Sequence, residues 1–210
     1  MDLLLLVVLV LGLGFVLRTK AQKQRIAVLA HFLRNYDIEK LMERLVGSYM
    51  RALDEKDPGR QQQIWELQQS VENSLVSQFA SFAQALAQAP EPSNGASFRI
   101  STQSIGFPFG ALIDKLQGSP RGFDLRTAIR IHADGIAAVV ANAEGRSPKE
   151  RAFTLLAELY LMQHTCHWYC KSKAVASARM QLRNQTSYEQ VVQSVSPATR
   201  NAYLALIGSR

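Results

Sequence analysis

Leu3-Leu4-Leu5-Leu6-Val7-Val8-Leu9-Val10-Leu11-Gly12-Leu13-Gly14-Phe15-Val16-Leu17 is a run of fifteen residues without a charge, and Arg18, Lys20, Lys23 and Arg25 follow it directly. As an α-helix the run reaches about 22 Å, at ~1.5 Å per residue. That is short of a ~30 Å hydrocarbon core. Met1 lengthens it, Arg18 can snorkel, and bilayers thin around short spans. A cleaved secretory signal has an apolar core of similar length but carries its cations in front of it. Here no Lys or Arg precedes the run, and Thr19-Lys20-Ala21 is a poor cleavage site. The expectation is therefore an uncleaved signal-anchor over residues 1–20: one transmembrane helix with its basic flank. Positive charge stays on the cytoplasmic side. The N-terminus is thus expected outside and residues 21–210 in the cytoplasm, as at a bacterial inner membrane. Membrane lipid is the first partner implied, through the apolar helix itself; anionic headgroups also attract the four cations, but their favoured role is only to fix the orientation. Gly12 and Gly14 lack the four-residue spacing of a tight membrane helix dimer.

The flank also explains much of the chain's charge. Arg18, Lys20, Lys23 and Arg25, offset by Asp2, account for three of the seven net positive charges over 210 residues. What remains is a mild excess, and Lys171, Lys173, Arg179 and Arg183 spread around their helix without forming a stripe. Nucleic-acid binding is not expected, since it calls for clustered cations interleaved with aromatics. A composition of 47% hydrophobic and 20% charged residues is that of a globular domain.

Beyond the flank the apolar spacing is helical. Ile26, Leu29, Leu33 and Tyr36 form one stripe, and Ile38, Leu41, Leu45, Tyr49 and Ala52 continue it after a break near Asn35-Tyr36-Asp37. Asp57-Pro58 caps and starts the next helix. Its stripe is Ile64, Leu67, Val71, Leu75, Phe79, Phe82 and Leu86, and these two elements suit an antiparallel hairpin. A loop near 89–107 divides this hairpin from a C-terminal helical part. Within it, Phe98, Ile100 and Thr102 alternate as a short extended piece does, and Gly106-Phe107-Pro108-Phe109-Gly110 leads toward a short helix through Leu112 and Leu116. Asp124 caps a helix to about Ala143, with Arg130 and Asp134 spaced as a surface pair. Ser147-Pro148-Lys149-Glu150 is a capping box that opens a helix expected to run to about Asn184. Thr186 with Glu189 opens a short helix, and Ser196-Pro197 the last. The fold class is all-α: one N-terminal transmembrane helix and a helical-bundle-like domain of about six to eight helices.

The residues with chemical potential are concentrated in His164-Thr165-Cys166-His167-Trp168-Tyr169-Cys170. Thiolate and imidazole suit soft and borderline metals. At about 100° per residue, Cys166, His167 and Cys170 share one helix face and His164 points elsewhere. The same face carries Leu155, Leu156 and Leu159, so the two cysteines also read as core residues. A metal or redox site at Cys166, His167 and Cys170 would need a ligand from another helix, such as His132 or His31. The spacing excludes a haem-attachment motif, and there is no second cysteine pair for structural zinc. Two cysteines at this spacing fit a reducing compartment. No phosphate loop, nucleophile elbow or His-Glu-x-x-His is present.

The reading that follows is a non-enzymatic, membrane-tethered helical interaction or scaffold protein without a cofactor, paired with a protein partner or a second copy of itself. The helix bearing Phe79 and Phe82 is its expected docking element. The rivals are a metal- or redox-active protein using Cys166, His167 and Cys170, and a binder of lipid or an apolar ligand among Ala137, Ala138 and Gly106.

Overall fold

The computed structural model describes residues 3–93, 95–102 and 122–208. Among them are eight helices and one two-stranded ribbon. Helix α1 spans Leu3–Leu33, α2 Ile38–Asp54 and α3 Pro58–Ala87. Strands β1, Arg99–Ser101, and β2, Gly122–Asp124, follow. Then come α4, Leu125–Ala141, α5, Pro148–Cys170, α6, Lys173–Asn184, α7, Tyr188–Ser194, and α8, Pro197–Ile207. The all-α expectation holds. The Phe107/Phe109 segment and the short helix through Leu112 and Leu116 lie outside the described residues.

The N-terminal helix is long and apolar enough to cross a membrane. Leu5 to Leu17 present their large side chains outward, with Phe15 at 73% exposure. No break separates this half from the rest: the helix continues past residue 20 to Leu33, and Val28 and Leu29 are buried in the domain. The exposed apolar half and the first core element are one rod, about 46 Å long at ~1.5 Å per residue.

Local signals set most of the helix starts. Asp57 accepts a hydrogen bond from the Arg60 N–H at 2.7 Å, with Pro58 at the first helical position. The Ser147/Glu150 capping box forms as expected, and Ser196 caps α8. Three expectations need correction. The helix from Pro148 stops at Cys170, because Ser172 starts a new one by accepting from the Val175 N–H at 3.3 Å. The second capping box is Ser187 with Gln190, one residue beyond Thr186/Glu189. Arg130 and Asp134 form no ion pair among the described residues: both are exposed, and water competes for each charge.

Helices α2 and α3 form the hairpin, but the buried face of α3 is rotated from the simplest apolar stripe. Leu67 is 69% exposed, whereas Trp65, Gln68 and Glu72 face inward. Glu72 is drawn in by partners. Tyr49 Oη donates to its Oε1 at 2.5 Å, and Arg151 of α5 pairs with its Oε2 at 3.2 Å. Charge pairing across three helices thus overrides hydrophobicity in setting the roll of α3. Phe79 and Phe82 are fully buried. They hold the core and present no docking surface.

The ribbon closes the loop region. Ile100 pairs with Phe123 and Ser101 with Gly122, antiparallel. A Cβ at Gly122 would strike the Ile100 carbonyl, so the pairing requires glycine there. Phe123 packs edge-on against Trp168, whose Nε1 donates to Ser101 O at 3.2 Å.

Two apolar clusters share α5 as a common wall. The larger takes Leu155, Leu159 and Met162 from α5, together with the end of α1 and with α2, α3, α4 and the ribbon. The smaller takes Ala157 and Leu161, with Met180, Tyr188, Val191, Val192, Val195 and Tyr203. A helix apolar on opposite sides is a central helix.

Candidate functional site

Helix α5 carries the candidate residues, so its surroundings decide what they can do. Cys166, His167 and Cys170 are half-buried, and the two cysteines pack against the larger cluster as free thiols. Burial, and the neighbouring Cys170, push the Cys166 thiol up to about 12. Burial pushes Cys170 up to about 11, against the pull of Arg25 and Lys171. Both are thiols at neutral pH, whereas a metal ligand or nucleophile is the thiolate. Cys166 Sγ lies 3.8 Å from Met162 Sδ, a core contact.

The outside ligands do not arrive. His132 is fully buried, its Nε2 2.9 Å from Thr165 Oγ1. His31 is exposed and stands edge-on to Phe32. Among the described residues no group of three or more His, Cys, Asp and Glu is placed to hold a metal ion.

His164, which the helical wheel turns away from this face, is among the most buried residues of α5. The Lys171–Ser172 break folds α6 and α7 back over it. Its Nε2 lies 3.0 Å from Ser177 Oγ, and its ring stacks on Tyr188 with centroids 4.5 Å apart. Burial, with Lys173 and His167 adding to it, depresses the imidazole to about 3.

A buried polar seam, unmarked by any motif, runs from α4 through α5 to α8. Thr165 has one hydroxyl proton and gives it to Leu161 O at 3.0 Å. That network assigns the His132 ring proton to Nε2, donating to Thr165. Burial, and then the neighbouring His164, hold His132 at about 3, so it is neutral. Glu158 is also fully buried; its Oε1 accepts from the Ser196 N–H at 3.0 Å and from Ser196 Oγ at 2.8 Å. Burial raises this carboxyl despite those bonds. Gly135 of α4 lies where α5 and α8 close in, and a Cβ there would run into Thr199 Oγ1 and Glu158 Oε2. The sequence signal for the seam was a lone Glu between Leu155 and Leu159, and a Gly inside an apolar helix.

A half-open cleft of about 320 Å³ lies between α5 and α6. Tyr160, His164, His167, Met180, Arg179 and Arg183 form much of its wall, which contains no Asp or Glu among the described residues. It is not where an apolar pocket was expected. Ala138 is exposed, Ala137 is half-buried, neither lines the cleft, and Gly106 lies outside the described residues.

The basic flank divides in two. Arg18, Lys20 and Lys23 are exposed. Arg25 is fastened to the domain: its Nη1 donates to Tyr169 O and its Nη2 to Arg99 O, both at 3.3 Å. Lys171 Nζ donates to Gln22 Oε1 at 3.0 Å one turn nearer the apolar segment.

No protein-family model matches the chain, and no curated protein and no solved structure matches it.

Proposed function

We propose that the chain is a membrane-tethered helical interaction module, with its N-terminus outside and its domain in the cytoplasm. One observation carries this reading: α1 is continuous from an exposed apolar half into a half packed in the core. A flexible tether would let the domain tumble. A rod clamped by Arg25 and by the Gln22–Lys171 bond fixes the domain's attitude to the membrane. Such rigidity serves a protein that must present one surface to a partner at the bilayer. The exposed Arg18, Lys20 and Lys23 support the orientation. Although the apolar helix can be counted as far as Leu33, Val28 and Leu29 are already in the core, so the spanning part ends near Leu17.

The test is purification of the tagged full-length protein from its own membranes in mild detergent, followed by mass measurement of the particle. A stoichiometric complex, with another protein or with a second copy, is expected. A solitary monomer at all protein concentrations would remove the interaction reading.

A further inference from the structure

We infer that the cleft between α5 and α6 binds a phosphate group, gripped by Arg179 and Arg183 over an apolar floor. The two arginines stand four residues apart, so they rise from the same side of α6. Both line the cleft, and neither has a hydrogen-bond or ion-pair partner among the described residues. Guanidinium forks match oxyanions through paired N–H donors. A carboxylate offers two oxygens and one charge, enough for one fork. A phosphate monoester or free phosphate offers at least three acceptor oxygens and up to two charges, enough for both, whereas a phosphodiester offers two oxygens and one charge. A helix C-terminus attracts a cation and accounts for Arg183 near the end of α6, but Arg179 lies a full turn earlier.

A second observation points the same way. His164, only 1% exposed, borders this cleft, and its Nδ1, sealed just behind the wall, has no hydrogen-bond partner among the described residues. A buried unpartnered ring nitrogen is costly to leave so. His167, on the same wall, is held below its ordinary value by burial and then by Arg179 and Arg183, a sign that positive charge there is not neutralised. Met180 and the Tyr160 ring supply apolar surface beside these groups.

Two sources share the chemistry. Lys171, bonded to Gln22, marks the end of α5 nearest the apolar segment. His167 is one turn, about 6 Å, below it. A phospholipid headgroup and a soluble phosphate compound both come within reach of that end.

The experiment is calorimetric titration of the full-length protein in phospholipid-free maltoside micelles. The probes are inorganic phosphate, dihexanoyl phosphatidic acid and dihexanoyl phosphatidylcholine. Saturable one-site binding is expected for phosphate, phosphatidic acid or both, and none for phosphatidylcholine. Binding of phosphate without phosphatidic acid identifies a soluble ligand; binding of phosphatidic acid alone identifies a headgroup. Arg179→Gln with Arg183→Gln weakens binding by at least about tenfold. Arg179→Lys with Arg183→Lys keeps the charge, loses the forks and falls between. Lys149→Gln, an exposed cation at the far end of α5, changes nothing. Absence of binding by the wild type, equal binding by the Gln double variant, or equal binding of phosphatidylcholine overturns the inference.

Discussion

The guanidinium of Arg25 donates to the main-chain carbonyl of Tyr169 and stands 5.5 Å from the centroid of that residue's ring. One side chain thereby joins the rod that begins in the apolar segment to the central helix of the domain. Arg25→Ala is expected to lower stability by about 2 kcal/mol, from a partly exposed cation–π contact and a long charge-assisted hydrogen bond, each at the low end of its range. Thermal melting of the full chain in detergent reads this directly. Limited trypsin digestion gives a second readout, with faster cleavage at Lys20 and Lys23 as the junction loosens. Arg25→Lys recovers only part, since an ammonium cannot serve Tyr169 O and Arg99 O as a fork does.

Two helical glycines are expected to respond in opposite senses. Gly135→Ala forces a methyl against Thr199 Oγ1 and Glu158 Oε2, and destabilises by about 1–3 kcal/mol. Gly47 in α2 is exposed, with nothing among the described residues within 4 Å of where a Cβ would stand. Gly47→Ala stabilises by about 0.5–1 kcal/mol, because alanine is the better helix former. Urea unfolding midpoints of the two variants, measured side by side, check the signs.

Glu158 makes stability fall as pH rises. Its carboxyl is raised above 4.5 in the folded protein, so the folded state holds the proton more tightly than the unfolded chain does. The contribution is fully present below 4.5 and is lost as pH climbs through the folded value. Glu158→Gln keeps an oxygen for the Ser196 N–H and removes the charge. The variant therefore loses this slope above pH 4.5. Glu158→Leu removes the acceptor as well, leaves the Ser196 N–H unpaired and destabilises by about 1–3 kcal/mol.

His132 and His164 act with the opposite sign. Each is depressed from 6.5 to about 3, so the unfolded chain takes up protons first. Their stabilisation is present above pH 6.5 and is lost as pH falls from 6.5 toward 3. Unfolding in this window is expected to take up about two protons from this pair. His132→Gln, which can still donate to Thr165, lowers that uptake by about one. An unchanged proton count would mean that His132 is not neutral in the fold.

The fold was legible where single residues decide local structure. Asp57-Pro58, Ser147-Pro148 and Ser196-Pro197 place three helix starts because a cap needs only its own next turn. The break at Lys171–Ser172 was not legible, since a Ser between two lysines reads equally well as exposed helix. That one break inverted the expected exposure around His164: it brought α6 and α7 over a residue that a straight helix would leave in solvent. Leu67 and Glu72 show the same limit on α3. Hydropathy placed Leu67 inside, but the roll of the helix is set by Tyr49 and Arg151, partners 23 and 79 residues away from Glu72. The polar seam and the cleft are built from such distant pairs: Glu158 and Gly135 stand out locally in their apolar helices, but nothing local names Ser196 and Thr199 as what they meet.

The membrane tether is the claim on which the rest depends. Membranes carrying the full-length chain are washed in alkaline carbonate, and the pelleted protein is weighed by intact mass spectrometry. The chain is expected to stay in the pellet at its full mass, with residues 1–20 attached, and a chain beginning at Ala21 to be released to the supernatant. Extraction of the full-length chain by carbonate, or a pelleted species shortened by cleavage after the apolar run, would contradict it.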